Sequence, residues 1–168
     1  MTVDNLDALL RGFQKRNKGI LVDSNLLLLF LVGLALPDTF TTFKPIANQG
    51  FVEEDFERLC NITSRFKILA TTPHILAEVS NHSDKLKGEN YHNFCHLVRS
   101  RVHSWQERFK ESAKLCKQDA FISLGLTDAA IEEAASGNFL VLTVDADLAV
   151  HLKKRKVDVI NYNHIRVI

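Results

Sequence analysis

The chain has 168 residues, of which 46% are hydrophobic and 24% charged, with 21 Lys and Arg against 20 Asp and Glu. That is enough apolar sequence for one substantial core and short for two, so a single domain over 1–168 is expected. A net charge of +1 excludes a broadly basic surface, so any polyanionic partner must be held by local patches.

Residues 4–17 place Leu6, Leu9, Leu10 and Phe13 at helical spacing, and Gly19 ends that helix. Ile20 to Pro37 is almost wholly apolar. It holds Asp23 and is shorter than the roughly 20 residues of a bilayer span, so it reads as a buried strand over 20–22 followed by a buried helix over 24–36. Residues 37–50 hold two of the three prolines and read as a loop. A charged helix over 51–65 and a strand over 66–71 follow. Thr72 then caps a helix with Pro73 at its first position, running to about His82. Residues 89–118 are expected to be a long helical stretch, continuous or interrupted, with Phe94, Leu97, Val98, Val102, Trp105, Phe109 and Leu115 spaced for one packed face. Thr127 is expected to cap a helix to about Ser136, Gly137 and Asn138 to break it, and FLVLTV to form a buried strand. A helix over 146–156 and a strand VDVINY complete the chain. Near-continuous apolar strands alternating with helices predict an α/β fold, three layers deep, with a mainly parallel central sheet.

Cys60, Cys95 and Cys116 form an odd set without a CxxC pair, which argues for a reducing compartment. The N-terminal stretch lacks the apolar core of a secretory signal. A cytoplasmic protein without membrane attachment is expected.

Two strands run straight into aspartates: GILV into Asp23 and FLVLTV into Asp145. In parallel α/β sheets the crevice beyond the C-terminal strand ends takes ligands, so both acids can face one cavity if their strands are neighbours. Asp128 in a first helical turn and Glu78 in ILAEVSNH are placed to join them. Four converging carboxylates without matching cations resist ionisation unless metal ions neutralise them. Oxygen-only ligands select Mg2+ or Mn2+, ions that activate water and stabilise the attacking and leaving oxygens of phosphodiester hydrolysis. Each acid also has a structural reading: Asp145 as a helix N-cap, Asp128 as a first-turn acid favoured by the helix dipole, Glu78 as a solvated edge residue. Asp23 resists this, because it lies between an apolar strand and an apolar helix, where an unpaired charge is costly.

VDSNLLL at 22–28, ILAEV at 75–79, GLTDAAIEEAA at 125–135 and LTVDADL at 142–148 resemble, in order, the four motif blocks of PIN-domain nucleases, a family that includes the VapC ribonuclease toxins. The resemblance spans 20–162. It implies an endoribonuclease in which Asp23, Glu78, Asp128 and Asp145 are the acidic catalytic positions, with Asp23, Asp128 and Asp145 holding the metal. It assigns Asn25 and Thr143 to steadying these acids and Asp147 to an optional further acid. The products would carry 5′-phosphate and 3′-hydroxyl ends. The partners it implies are an RNA substrate, an antitoxin protein and a second copy of the chain in a homodimer. The interval between Asp23 and Glu78 and the helical region after Glu78 are longer than in the toxin-type members. Asp23→Asn or Asp145→Asn is expected to stop cutting while the fold survives or gains stability from relieved repulsion.

Other features read as bland. His92 and His96, at i and i+4, lack further ligands and are expected to be surface residues, as is His103. The histidines stand apart in sequence from the acidic motifs, so none is expected to act. LKKRK at 152–156 has the charge to touch phosphates but reads rather as a solvated helix end; Glu132, one turn beyond Asp128 on the same face, is placed to support it but, like Glu133, reads rather as solvent-facing. A haloacid-dehalogenase-like reading of LVLTVDADLAV fails on length, since the 23 residues after Asp145 leave no space for that family's later strands. The alternative within the same resemblance is a catalytically inactive PIN-like module that binds RNA or protein.

Overall fold

A computed structural model describes residues 3–166. Among them five strands, β1 (Gly19–Val22), β2 (Leu69–Thr71), β3 (Gln106–Glu107), β4 (Phe139–Thr143) and β5 (Val159–Asn161), form one sheet. Their order is β3-β2-β1-β4-β5, and the neighbours pair in parallel throughout. The helices that connect or flank them are α1 (Val3–Arg16), α2 (Ser24–Ala35), α3 (Lys44–Ala47), α4 (Glu53–Ser64), α5 (Pro73–Ser83), α6 (Gly88–Arg101), α7 (Ser112–Leu115), α8 (Asp119–Leu124), α9 (Leu126–Ala135) and α10 (Ala146–Lys154). Every residue of β1 and β4 is buried. Successive strand side chains point to opposite faces, so both faces of the sheet are covered, as layering of helices on each side requires.

The adjacency on which a shared cavity for Asp23 and Asp145 depends is present: β1 is the middle strand and β4 its neighbour, with Val22 opposite Leu142. Helix α2 is apolar almost all round, burying Leu26 to Leu29, Leu31 and Val32 among α4, α5 and α6. Gly33 lets α4 approach, because a Cβ there would occupy the Phe56 ring. Among the described residues no helix is long and apolar enough to cross a membrane.

Three expectations need correction. The stretch 89–118 is not one helix. Helix α6 stops at Arg101, a 3-10 turn (Val102–Ser104) comes next, and Gln106 and Glu107 pair with Ala70 and Thr71 at the edge of β2. Pairing with a free strand edge outweighs the local helical periodicity. Phe109 is accordingly 73% exposed instead of packed, while Leu115 joins a small satellite cluster with Ala120, Ala129 and Ala130. The loop 37–50 contains a 3-10 turn (Phe40–Thr42) and α3, which bury Phe40 and Ile46. The helix after Leu124 begins at Leu126, so Thr127 lies within it and Gly125 is its cap. Gly125 has φ +103°, a conformation open to glycine at little cost.

The predicted cap of α5 is present: Thr72 Oγ1 accepts a hydrogen bond from Ile75 N at 3.2 Å, with Pro73 in the first turn. Thr72→Ala should lower stability by about 1 kcal/mol, read as a shifted denaturant midpoint at unchanged slope. An unmoved midpoint would show that the bond contributes nothing net.

Candidate functional site

The parallel register brings the C-terminal ends of β1 and β4 side by side, and the first residues beyond those ends fix the acids in place. Asp23 N-caps α2, its Oδ1 accepting from Leu26 N at 3.1 Å. Its Oδ2 accepts from the Thr143 hydroxyl and from Val144 N, the latter at 3.1 Å. Thr143, fully buried, in turn accepts from Asp145 N at 2.9 Å, so one hydroxyl couples the two strand ends. Asp145 N-caps α10 through Oδ1, which accepts from Asp147 N at 2.8 Å and Leu148 N at 2.9 Å. Its Oδ2 accepts no hydrogen bond among the described residues. The capping and functional readings of Asp145 are therefore compatible, because they use different oxygens.

Asp128 stands in the first turn of α9, where the helix dipole favours its charge. Glu78, on α5, accepts at Oε1 a 2.5 Å hydrogen bond from the Thr127 hydroxyl of α9. All four acids line one open cavity of about 360 Å3, together with Ser24, Asn25, the segment from Leu124 to Thr127, and Ile131. Among the described residues no lysine, arginine or histidine lines it.

This charge imbalance is visible in the acids themselves. Burial first, then repulsion by Asp145, Asp23 and Glu78, pushes the Asp128 carboxyl up to about 7. Burial also raises Asp23, against the hydrogen bonds from Thr143, Leu26 N and Val144 N. Ser24 Oγ, at the same wall, is buried without a hydrogen-bond partner among the described residues. Crowded carboxylates, an orphaned hydroxyl and an all-oxygen donor set are the conditions that a hard divalent cation with its water relieves. Among the described residues, no three His, Cys, Asp or Glu side chains stand close enough together to enclose an ion. The donors line a cavity without forming a closed shell.

Of the residues singled out from sequence, Asp23, Glu78, Asp128, Asp145 and Asn25 line the cavity and Thr143 lies directly beneath it. Asp147 is exposed on α10 and outside the lining, and only its backbone N–H reaches Asp145. Thr127 is the residue whose role sequence reasoning misses: expected to cap the helix, it lies in the first turn and donates to Glu78, while Gly125 before it is the cap. The histidines are not all remote. His151 Nε2 lies 2.7 Å from Glu132 Oε2 on α9, and His151 acts on the nearby Asp128 in the direction opposite to its carboxylate neighbours, without cancelling them. Arg155 completes this tie, with Nε 3.2 Å from Glu132 Oε1 and a second contact to Asp119. Glu132 and Arg155 are therefore joined across α9 and α10 instead of solvated, and Glu133 pairs with Lys110 at 2.7 Å. The reason is tertiary: the fold brings together His151 and Glu132, 19 positions apart, which sequence spacing does not encode.

Compared with family models, curated proteins and solved structures, the chain matches none.

Proposed function

We propose that this chain is a divalent-metal-dependent endoribonuclease of the PIN-domain type, hydrolysing RNA phosphodiester bonds in the carboxylate cavity. The observation that carries the reading is one cavity at the C-terminal ends of two adjacent parallel strands, lined among the described residues by four carboxylates and no cationic side chain. Asp145 through its free Oδ2 and Asp128 from the first turn of α9 would hold Mg2+ or Mn2+, with Asp23 behind them. Such an ion supplies a Lewis acid that lowers the pKa of water and offsets charge on the phosphate.

The chain's own residues supply the positioning. Thr143 locks Asp23 and the backbone of Asp145 into one arrangement, and Thr127 fixes Glu78 so that Oε2 is left to orient a water in the cavity. Thr127→Val keeps the shape of the side chain and removes the donor. It is expected to slow cleavage about 10-fold with unchanged unfolding, the usual cost of losing such an outer partner. A rate equal to wild type would remove Thr127 from the site's design.

The test of the function is incubation of purified protein with single-stranded RNA and Mg2+ or Mn2+. Cleavage reversed by EDTA and restored by metal, with 5′-phosphate products, supports the proposal. Persistence in EDTA, or 2′,3′-cyclic phosphate ends, overturns it, since the RNA's own 2′-hydroxyl would then be the nucleophile. That no three acids among the described residues group tightly enough to enclose an ion favours the second reading, an inactive RNA- or protein-binding module of the same kind. RNA binding without cutting in any metal would select it.

A further inference from the structure

A second open cavity, of about 530 Å3, lies away from the carboxylates. One wall comes from the segment after α2, with Thr39, Thr42, Phe43 and Lys44; the other comes from the α5–α6 connection, with Lys85, Lys87 and Asn90. Leu36 and Leu86, both buried, form its floor. Packing of α2 against α5 and α6 brings these two segments together. Lys44, Lys85 and Lys87 are exposed, and among the described residues none is within ion-pair distance of a carboxylate. The polar contact made by these ammonium groups is from Lys87 Nζ to the Asp84 carbonyl, at 3.3 Å.

Three cations from two segments, without carboxylate partners among the described residues, thus converge on one groove in a chain whose net charge is only +1. This is a local patch of the kind such a chain needs to hold a polyanion. The two cavities have opposite charge and are joined by α2, which starts just after Asp23 and ends just before Leu36. Its 12 residues place them about 18 Å apart along the helix axis.

We infer that the Lys44–Lys85–Lys87 groove binds phosphates of a single-stranded RNA whose scissile bond lies in the carboxylate cavity. The inference rests on the ribonuclease reading. At roughly 3.4 Å per phosphate along a stacked strand, the groove engages the RNA on the order of five nucleotides from the cut. Lysines without a matching planar acceptor set recognise phosphate as point charges, so the contact is independent of base sequence.

The test compares wild type with the triple variant Lys44→Ala, Lys85→Ala, Lys87→Ala and with the triple Lys→Arg variant, which keeps the charge. Binding of fluorescent oligouridylates of about 3 and about 12 nucleotides, one too short to span the cavities and one long enough, is measured by anisotropy in EDTA to prevent cutting. The alanine variant should weaken the long RNA at least about 10-fold and lower its log Kd against log salt slope by about 2, at roughly 0.7 per phosphate contact. Wild type should bind the long RNA more tightly than the short one, and the arginine variant should bind as wild type. Equal affinity of wild type and alanine variant for the long RNA overturns the inference, as does preference of the groove for oligoglutamate over RNA. If wild type cuts the long RNA in Mg2+ while the alanine change leaves its binding intact, the inference alone fails. If wild type binds in a lysine-dependent way but never cuts, the ribonuclease reading fails and the groove stands.

Discussion

Asp145→Asn is expected to reduce RNA cleavage by at least ~10³-fold, about 4 kcal/mol of transition-state stabilisation, with the melting temperature unchanged or raised. The two oxygens of Asp145 have separate tasks. Oδ1 caps α10 through Asp147 N and Leu148 N, and an asparagine carbonyl oxygen serves there equally well. Oδ2, the oxygen without a hydrogen bond among the described residues, becomes an amide that cannot hold a cation. One negative charge also leaves the neighbourhood of Asp128, which relieves repulsion. The same change at Asp23 is expected to act differently, because both of its oxygens accept hydrogen bonds. If Oδ1 keeps Leu26 N, the new amide nitrogen meets Val144 N–H, donor against donor, in a side chain only 5% exposed. Asp23→Asn should therefore also abolish cutting but destabilise by about 1–3 kcal/mol. The measurements are single-turnover cleavage and thermal unfolding of both variants. An Asp145→Asn protein that cuts within ~10-fold of wild type would remove this carboxylate from the chemistry.

What could be read from the chain divides along a physical line. The apolar runs ending in Asp23 and Asp145 are themselves the cause of buried parallel strands, so the sheet's centre and two of its acids were legible. Thr72 and Pro73 likewise announced α5 through local backbone chemistry. The illegible features depend on partners distant in sequence. Gln106 and Glu107 have no strand character of their own and become β3 because β2 offers an unpaired edge. The stretch around them carries helical periodicity that the fold does not use. Thr127 looked like a cap because its hydroxyl partner, Glu78, is 49 positions away. The tie of His151 and Arg155 to Glu132 and the lysine groove between two loops share this origin: each requires knowing which helices lie side by side.

In EDTA, the protein is expected to lose stability as pH rises from about 4 through about 7, and added Mg2+ or Mn2+ should restore it above that range. Asp128 ionises in the unfolded chain near its ordinary value of 3.8, but in the folded chain burial and its carboxylate neighbours push it up to about 7. A raised carboxyl pKa means that the folded state binds the proton more tightly. Its stabilisation is complete below the unfolded pKa and is lost as pH climbs through the folded one. Asp23, raised by burial, acts in the same direction. Because the Asp128 side chain is half-buried, solvent screening leaves the whole contribution at about 2 kcal/mol, of which roughly 1 kcal/mol is lost between pH 5 and 8, a fall of roughly 3 °C in Tm. A divalent cation takes the proton's place as the neutralising charge and stabilises by mass action, so its effect on Tm should be small at pH 5 and large at pH 8. Asp128→Asn should flatten the pH profile in EDTA, because its amide needs no neutralisation. Thermal melts of wild type and Asp128→Asn at both pH values, with and without metal, decide the matter. A wild-type Tm in EDTA that is level or rising across this interval, or a slope retained in full by Asp128→Asn, would show that these carboxylates do not crowd one another as the geometry requires.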